Sequence, residues 1–493
     1  MSMNEPAVSR IETEVKRIQA LLQRGELVAA LQAAESLRAE VPENRDVLYL
    51  IAVAQRYLRR VPEALATLAE LERLHPAYSR LYQERGHCHV ALREAQPAIE
   101  AFLRAVNLNP ALPGSWNSLQ TLFKMTGRTE DAVMAAGHVK KLAELPTEVV
   151  TATSMFSDGD IYLAEQVIRD FLQRHGHHVE AMRLLAKIGV RLDVLDDAEA
   201  LLAGALELAP DYHAARHDYA LVLLQRHKHL EAQEEFERLL RVDPNDRAFR
   251  IGYAGALVGL GQHERALEMY QRILEELPQA ADVQLSVAHA LKTIGRQQQA
   301  IDSYRAAIGL RPSYGEAYWS LANLKTYRFT AEEIARMRTE VEAAAVSQDD
   351  RYHLCFALGK ALEDQGDYAG SFVHYERGNA LKKAELRFKI EPIERNARLQ
   401  RQVCTRELFE SRRGVGFPSD APIFIVGLPR AGSTLLEQIL SSHSQVEGTM
   451  ELAHIPRLVG ELQGRDAGRG DPRYPAILTE LTPQALYRHG EQF

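Results

Sequence analysis

Residues 229–244 read HLEAQEEFERLLRVDP, residues 263–278 read HERALEMYQRILEELP, and residues 297–312 read QQQAIDSYRAAIGLRP. Each stretch ends on a proline, Pro244, Pro278 or Pro312, and Pro210 carries the series one step back at the same interval of 34 residues. Twelve residues before each proline stands a small side chain, Ala198, Ala232, Ala266 or Ala300, and eight before it a large one, Leu202, Phe236, Tyr270 or Tyr304. Five before it come Ala205, Leu239, Ile273 and Ala307. Offsets of four and three keep these residues on one face of a helix, where the small one permits close approach and the large one fills the groove. A fixed period of this length marks stacked helical hairpins, so most of the chain is scaffold.

The register extends upstream to Pro110 (Ala98, Phe102, Ala105), Pro76 (Ala64, Leu68, Leu71) and Pro42 (Ala30, Ala34, Leu37). Between Pro110 and Pro210 two degenerate units fit, one ending near Pro146 and one in which Gly176 replaces the proline behind Ala164, Ile168 and Phe171. About nine units therefore run over 10–312. Gly25, Gly159, Gly261 and Gly295 fall at the turn inside a unit, where a residue without Cβ ends the first helix. Period, small positions, large position and terminal proline together resemble the tetratricopeptide repeat. Past Pro312 the register breaks, yet Leu358, Gly359, Leu362, Gly366, Ser371, Tyr375 and Gly378 reproduce it once. The expectation is a helical connector over 313–404 that holds one further repeat-like unit at 351–383, placed to cap the array.

With 493 residues, 46% of them hydrophobic and 26% charged, the chain suffices for such an array and part of another domain. The net charge of −8 argues against bulk nucleic-acid binding. No apolar run is long enough to cross a membrane and the N-terminus is polar, so the expectation is a cytoplasmic protein without a membrane partner. Cys88, Cys355 and Cys404 lie far apart and form no metal or disulfide spacing. His87 and His89 are two apart on a helix and so face different ways, and His175, His177 and His178 fall at a turn between units, so no metal site is expected.

Composition shifts over 405–421, which reads as a linker. Next comes PIFIVG (422–427), an apolar run suited to a buried parallel strand, then LPRAGST (428–434) and the helix-forming LLEQIL (435–440). Strand, glycine-bearing loop and helix start make an anion cradle, because unpaired backbone N–H groups and the positive end of the helix dipole face the loop. Ser433 and Thr434 add hydroxyl donors, and Arg430 brings a charge able to form two parallel bonds to a phosphate or sulfonate. The spacing matches GxxxxGK[ST] except that Ser433 stands at the lysine position, which disfavours an ATPase or GTPase.

PIFIVGLPRAGSTLLEQILSSH (422–443), followed by ELAHIPR (451–457), resembles the start of a sulfotransferase domain, in particular that of tyrosylprotein sulfotransferases and their relatives fused behind tetratricopeptide repeats. The fold class implied is mainly α, a tetratricopeptide-repeat α-solenoid followed at 422–493 by the N-terminal part of an α/β P-loop-like sulfotransferase domain. The resemblance assigns Arg430, Ala431, Gly432, Ser433 and Thr434 to the 5′-phosphosulfate of 3′-phosphoadenosine 5′-phosphosulfate. It places the general base on Glu451 and makes Arg430 a catalytic cation as well. Sulfonate transfer fits these roles, since a carboxylate must take the acceptor proton and cations must hold charge on the transferring group. His454 and Arg457 stand beside this stretch, and His443 follows the helix where its dipole favours a cation.

The family's later Asp-Lys pair and Arg-Asp-Pro segment do not occur after Glu451, and the expectation is a truncated domain. Two functional readings follow. In the first, the repeats recruit a protein or peptide in their groove and the C-terminal segment passes a sulfonate to an acceptor hydroxyl, protein tyrosine being one the resemblance allows. In the second, the chain is a non-catalytic protein-protein interaction module with a vestigial segment. A glycosyltransferase with the same repeats is disfavoured by the phosphosulfate-type loop.

Overall fold

The computed structural model of the chain describes residues 5–344, 346–386, 389–449, 452, 454–463 and 472–493. Its contacts divide it into two units, 1–215 and 216–493. Both are built from helices in succession, for example Arg45–Tyr57 with Val61–Leu74 and Ser79–Ala91 with Ala95–Leu108 in the first, and Ala281–Thr293 with Gln297–Leu310 in the second. The two helices of each of these pairs pack on one another. The repeat positions form the core. Ala30, Ala64, Ala98, Ala164, Ala198, Ala232, Ala266 and Ala300 have no exposed surface, and neither do Leu68, Phe102, Phe236 and Tyr304.

The prolines act through the residue before them. Val41, His75, Asn109, Ala209, Asp243, Leu277 and Arg311 all leave the helical region, with φ between −133° and −142°, while each N–H still reaches the carbonyl four residues back. A following pyrrolidine ring disfavours the α region for its predecessor, so the second helix of each of these seven units stops at the same place. Two of the proline carbonyls accept from a side chain in the next helix. Tyr82 Oη donates to Pro76 O and Trp116 Nε1 to Pro110 O, each at 2.9 Å.

The turn inside each unit is left-handed throughout. Gly25, Gly127, Gly159, Gly261 and Gly295 have φ of 74° to 87°, and Arg59, Arg93, Asp193 and His227 hold the equivalent place with φ of 57° to 63°. Left-handed geometry costs a non-glycine residue roughly 1–2 kcal/mol, which the packing of the two flanking helices offsets. Glycines inside helices have another cause. A Cβ on Gly252 would lie 2.2 Å from Cε1 and Cζ of Phe236, and one on Gly86 would lie 2.7 Å from the Phe102 ring, so the large residue of the pattern rests on bare backbone.

After the last repeat proline, Gly315–Ala322 is a short helix, and Ala331–Glu342 begins with a capping box between Thr330 and Glu333. Buried Asp350 gathers this region. It accepts from the Gly315 amide at 3.0 Å and Ser347 Oγ at 2.7 Å, and it pairs with Arg311. Helices Gln348–Asp364 and Tyr368–Leu386 pack together, with the Tyr375 ring set against Gly359. Helices Glu391–Val403 and Arg406–Ser411 follow.

The strand expected at 422–426 does not form, and the described residues contain no strand at all, so the α/β start is corrected to a helical segment with an irregular, exposed lead-in. The physical reason is pairing. Among the described residues no second strand pairs the backbone N–H and C=O groups of this run, so it stays open to solvent. Val426 is accordingly 89% exposed.

Candidate anion-binding site

The loop at 427–434 is a tight reversal. The Ala431 amide donates to Leu428 O at 3.1 Å, which closes a turn that puts Arg430 in the left-handed region at φ 65°. Gly432 follows at φ 89° and is the N-cap of helix Ser433–Ser441. Left-handed residues alternating with others in a turn are the kind of backbone from which anion-binding concavities are built. No side chain caps this helix, so its first amides keep no side-chain partner. Ser433 and Thr434 are its first two residues, and the Leu436 amide makes the first helical bond, to Gly432 O at 3.1 Å.

Two hydroxyls, the helix amides and the positive end of the dipole therefore meet at one helix start, and Arg430 stands two residues before its N-cap. All of residues 427–434 are exposed, and Arg430 makes no ion pair with another described residue. This donor set fits a phosphate or phosphosulfate group.

Behind the loop, the chain returns onto the helix. A Cβ on Gly448 would lie 2.9 Å from Ser441 Cβ, a close approach that the sequence reading did not assign. His443 sits just past the helix, where its Nδ1 accepts from the Gln445 amide at 3.2 Å. His454 opens helix His454–Gln463 with its ring 5.8 Å from that of Phe493, and Arg457 stands 3.8 Å from Glu461 on the same helix. Glu451 lies outside the described residues. The structure thus brings Arg430, Ala431, Gly432, Ser433 and Thr434 together.

Support for the loop comes from its flanks. Phe417 stacks edge-on against Tyr487 at 5.3 Å and Phe424 meets Phe493 at 5.4 Å, which ties the lead-in to helix Pro483–Gln492. Arg412 donates to Thr479 O at 2.9 Å and Leu481 O at 2.5 Å. Beyond residue 405 only Pro475 and Ile477 are buried among the described residues, so this segment has almost no core of its own.

Comparison with known proteins adds two kinds of match. The sulfotransferase family model matches residues 422–490. Tetratricopeptide-repeat models match residues 15–79, 79–112, 223–290 and 281–314. An uncharacterized protein of Aquifex aeolicus (strain VF5) is 34% identical over 167 residues, which are 33% of this chain and 22% of that relative, so the chain spans about a fifth of the curated relative it matches. Among solved structures, the human IFIT1 dimer with PPP-AAAA is 17% identical with a TM-score of 0.42, over 68% of this chain and 83% of that one. A tetratricopeptide repeat protein from Parabacteroides merdae ATCC 43184 is 14% identical with a TM-score of 0.32, over 62% and 93%. No helix among the described residues is long and apolar enough to cross a membrane.

Proposed function

We propose that this chain, in which tetratricopeptide repeats precede a sulfotransferase-family segment, is a cytoplasmic sulfotransferase-type protein whose loop at 427–434 holds the phosphosulfate of 3′-phosphoadenosine 5′-phosphosulfate. The carrying observation is the double left-handed turn at Arg430 and Gly432, which leads into an uncapped helix bearing Ser433 and Thr434. The nucleotide would supply the sulfonate group. The amides at the helix start and both hydroxyls bind its charged oxygens, and Arg430 holds the negative charge that builds on the departing phosphate. Glu451 takes the proton of the acceptor hydroxyl as the acceptor oxygen bonds to sulfur and the bridging sulfur–oxygen bond breaks. The repeats bring a protein or peptide acceptor, tyrosine-bearing by resemblance.

A second reading has its own support. Ile423, Phe424, Val426 and Leu428 are 59% to 89% exposed without strand partners, which fits an interaction module whose C-terminal segment does no chemistry. A transfer assay separates the two. Radiolabelled sulfonate passed from the nucleotide to a tyrosine-bearing peptide, lost in Glu451→Gln, supports the enzyme; label transfer absent in the wild type over the full pH range favours the module.

A further inference from the structure

One repeat departs from the pattern. Helix Thr147–Ser157 has 11 residues where Arg45–Tyr57, Ser79–Ala91, Pro113–Met125 and Val179–Arg191 have 13. The left-handed residues on either side of it, Gly127 and Gly159, stand 32 rather than 34 apart. The end of this short helix folds back onto repeats far upstream. The Asp158 carboxylate has no exposed surface and accepts four hydrogen bonds: from the Ser79 amide at 3.2 Å, Ser79 Oγ at 2.5 Å, Arg80 Nε at 3.1 Å and Asn109 Nδ2 at 3.2 Å. Arg45 donates to Asp158 O at 3.0 Å and pairs with Asp160 at 2.8 Å.

The receiving surface is built for an acid. Helix Arg45–Tyr57 is capped by its own Asn44, whereas Ser79–Ala91 has Tyr78 at its N-cap position and no local side-chain cap. Asp158 supplies that missing anion from another repeat, where the helix dipole and an orphan amide favour it. The Arg45 guanidinium lies 4.6 Å over the Tyr78 ring, and Tyr49 meets Tyr78 edge-on at 5.6 Å, so aromatic faces wall the cations. Apolar side chains would join the same repeats without removing charge from water, so the donor set reads as recognition of a carboxylate and not as packing alone.

We propose that Arg45, Ser79, Arg80 and Asn109 form the repeat array's receptor for an aspartate-bearing segment of a partner protein, and that the chain's own turn at 158–160 fills it in cis until such a segment displaces it. This inference rests on the reading of the repeats as a partner-binding array and gives that partner its chemistry, an acidic peptide. The turn is then a tethered competitor, which raises the partner concentration needed for entry.

The test uses the full chain carrying Asp158→Ala and Asp160→Ala, with a fluorescent peptide of the chain's own sequence, ATSMFSDGDIY (residues 152–162), and the same peptide with asparagine at both aspartates. The variant should bind the acidic peptide about tenfold more tightly than the wild type and discriminate against the asparagine peptide, and Arg80→Ala added to it should abolish the gain. Equal binding of both peptides, or no gain over wild type, overturns the proposal and leaves Asp158 a structural cap. If circular dichroism shows the variant unfolded, hydrogen exchange of residues 147–162 in the wild type decides: excess acidic peptide must raise it, and no rise refutes displacement. Titrating adenosine 3′,5′-bisphosphate into the same samples keeps the two readings apart, because nucleotide binding depends on 427–434 and survives a failure here.

Discussion

Gly252→Ala is the sharpest test of the packing register. The added Cβ lies 2.2 Å from two ring carbons of Phe236, a side chain with no exposed surface. Ordinary carbon contact at about 3.5 Å would require the ring to retreat by roughly 1.3 Å. Overpacking of this kind costs about 1–3 kcal/mol, and this contact belongs at the upper end because the ring is enclosed. Alanine in place of glycine in the interior of helix Arg247–Gly259 returns about 1 kcal/mol of helix propensity, so the net loss should be about 1–2 kcal/mol. Gly137→Ala is the matched control. It also sits inside a helix, Thr129–Ala143, but nothing lies within 4 Å of its Cβ, so it should stabilise by about 0.5–1 kcal/mol. Repeat arrays open locally, so the readout is urea unfolding by circular dichroism together with hydrogen exchange over 229–259. Phe236→Leu should cost less in the Gly252→Ala background than in the wild type, a positive coupling between neighbours. A Gly252→Ala chain as stable as the Gly137→Ala chain would refute the register.

Other consequences follow from single features. Gly261→Val and Gly295→Val place a branched side chain in the left-handed turn and should each lower stability by about 1–2 kcal/mol, whereas Arg93→Gly should be neutral or slightly stabilising in thermal melts. Burial holds the Tyr304 phenol neutral and pushes its pKa up to about 12, above the ordinary tyrosine value of about 10. A folded-state pKa raised in this way gives stability that is complete below the unfolded value and lost as pH rises through the folded one. The urea midpoint should therefore fall between pH 10 and 12, and Tyr304→Phe should flatten that fall in part, with the remaining slope from the other raised tyrosines, among them Tyr212, Tyr318 and Tyr375, each pushed up to about 12 by burial. An unchanged slope in Tyr304→Phe would contradict the assigned burial effect.

The repeat core was legible because its rules are local. A small residue at Ala232, a large one at Phe236 and a proline at Pro244 each act within one helix and its end, and all three did as their spacing required. The inner turns were half legible. Glycine betrays a left-handed residue, but Arg59, Arg93, Asp193 and His227 adopt the same geometry because the flanking helices impose it, and nothing in those side chains announces this. Asp158 was invisible for a different reason. An aspartate before a glycine reads as a solvated turn, and its donors lie up to 79 residues away; the faint signal was the 32-residue interval. The anion loop was legible in its glycines and its arginine. The apolar run at 422–426 reads as a strand, but a strand needs partners that lie elsewhere in a sheet, and among the described residues none pairs with it.

The proposed function requires the loop at 427–434 to bind the phosphosulfate end of the nucleotide through Arg430. Calorimetric titration of adenosine 3′,5′-bisphosphate into the wild-type chain and Arg430→Ala tests it directly. Binding in the wild type, weakened by about tenfold or more in the variant, is the predicted result, since loss of a charged hydrogen-bonding partner is worth about 1.5–3 kcal/mol. Equal affinity in the two chains, or no heat of binding in either, would contradict the claim.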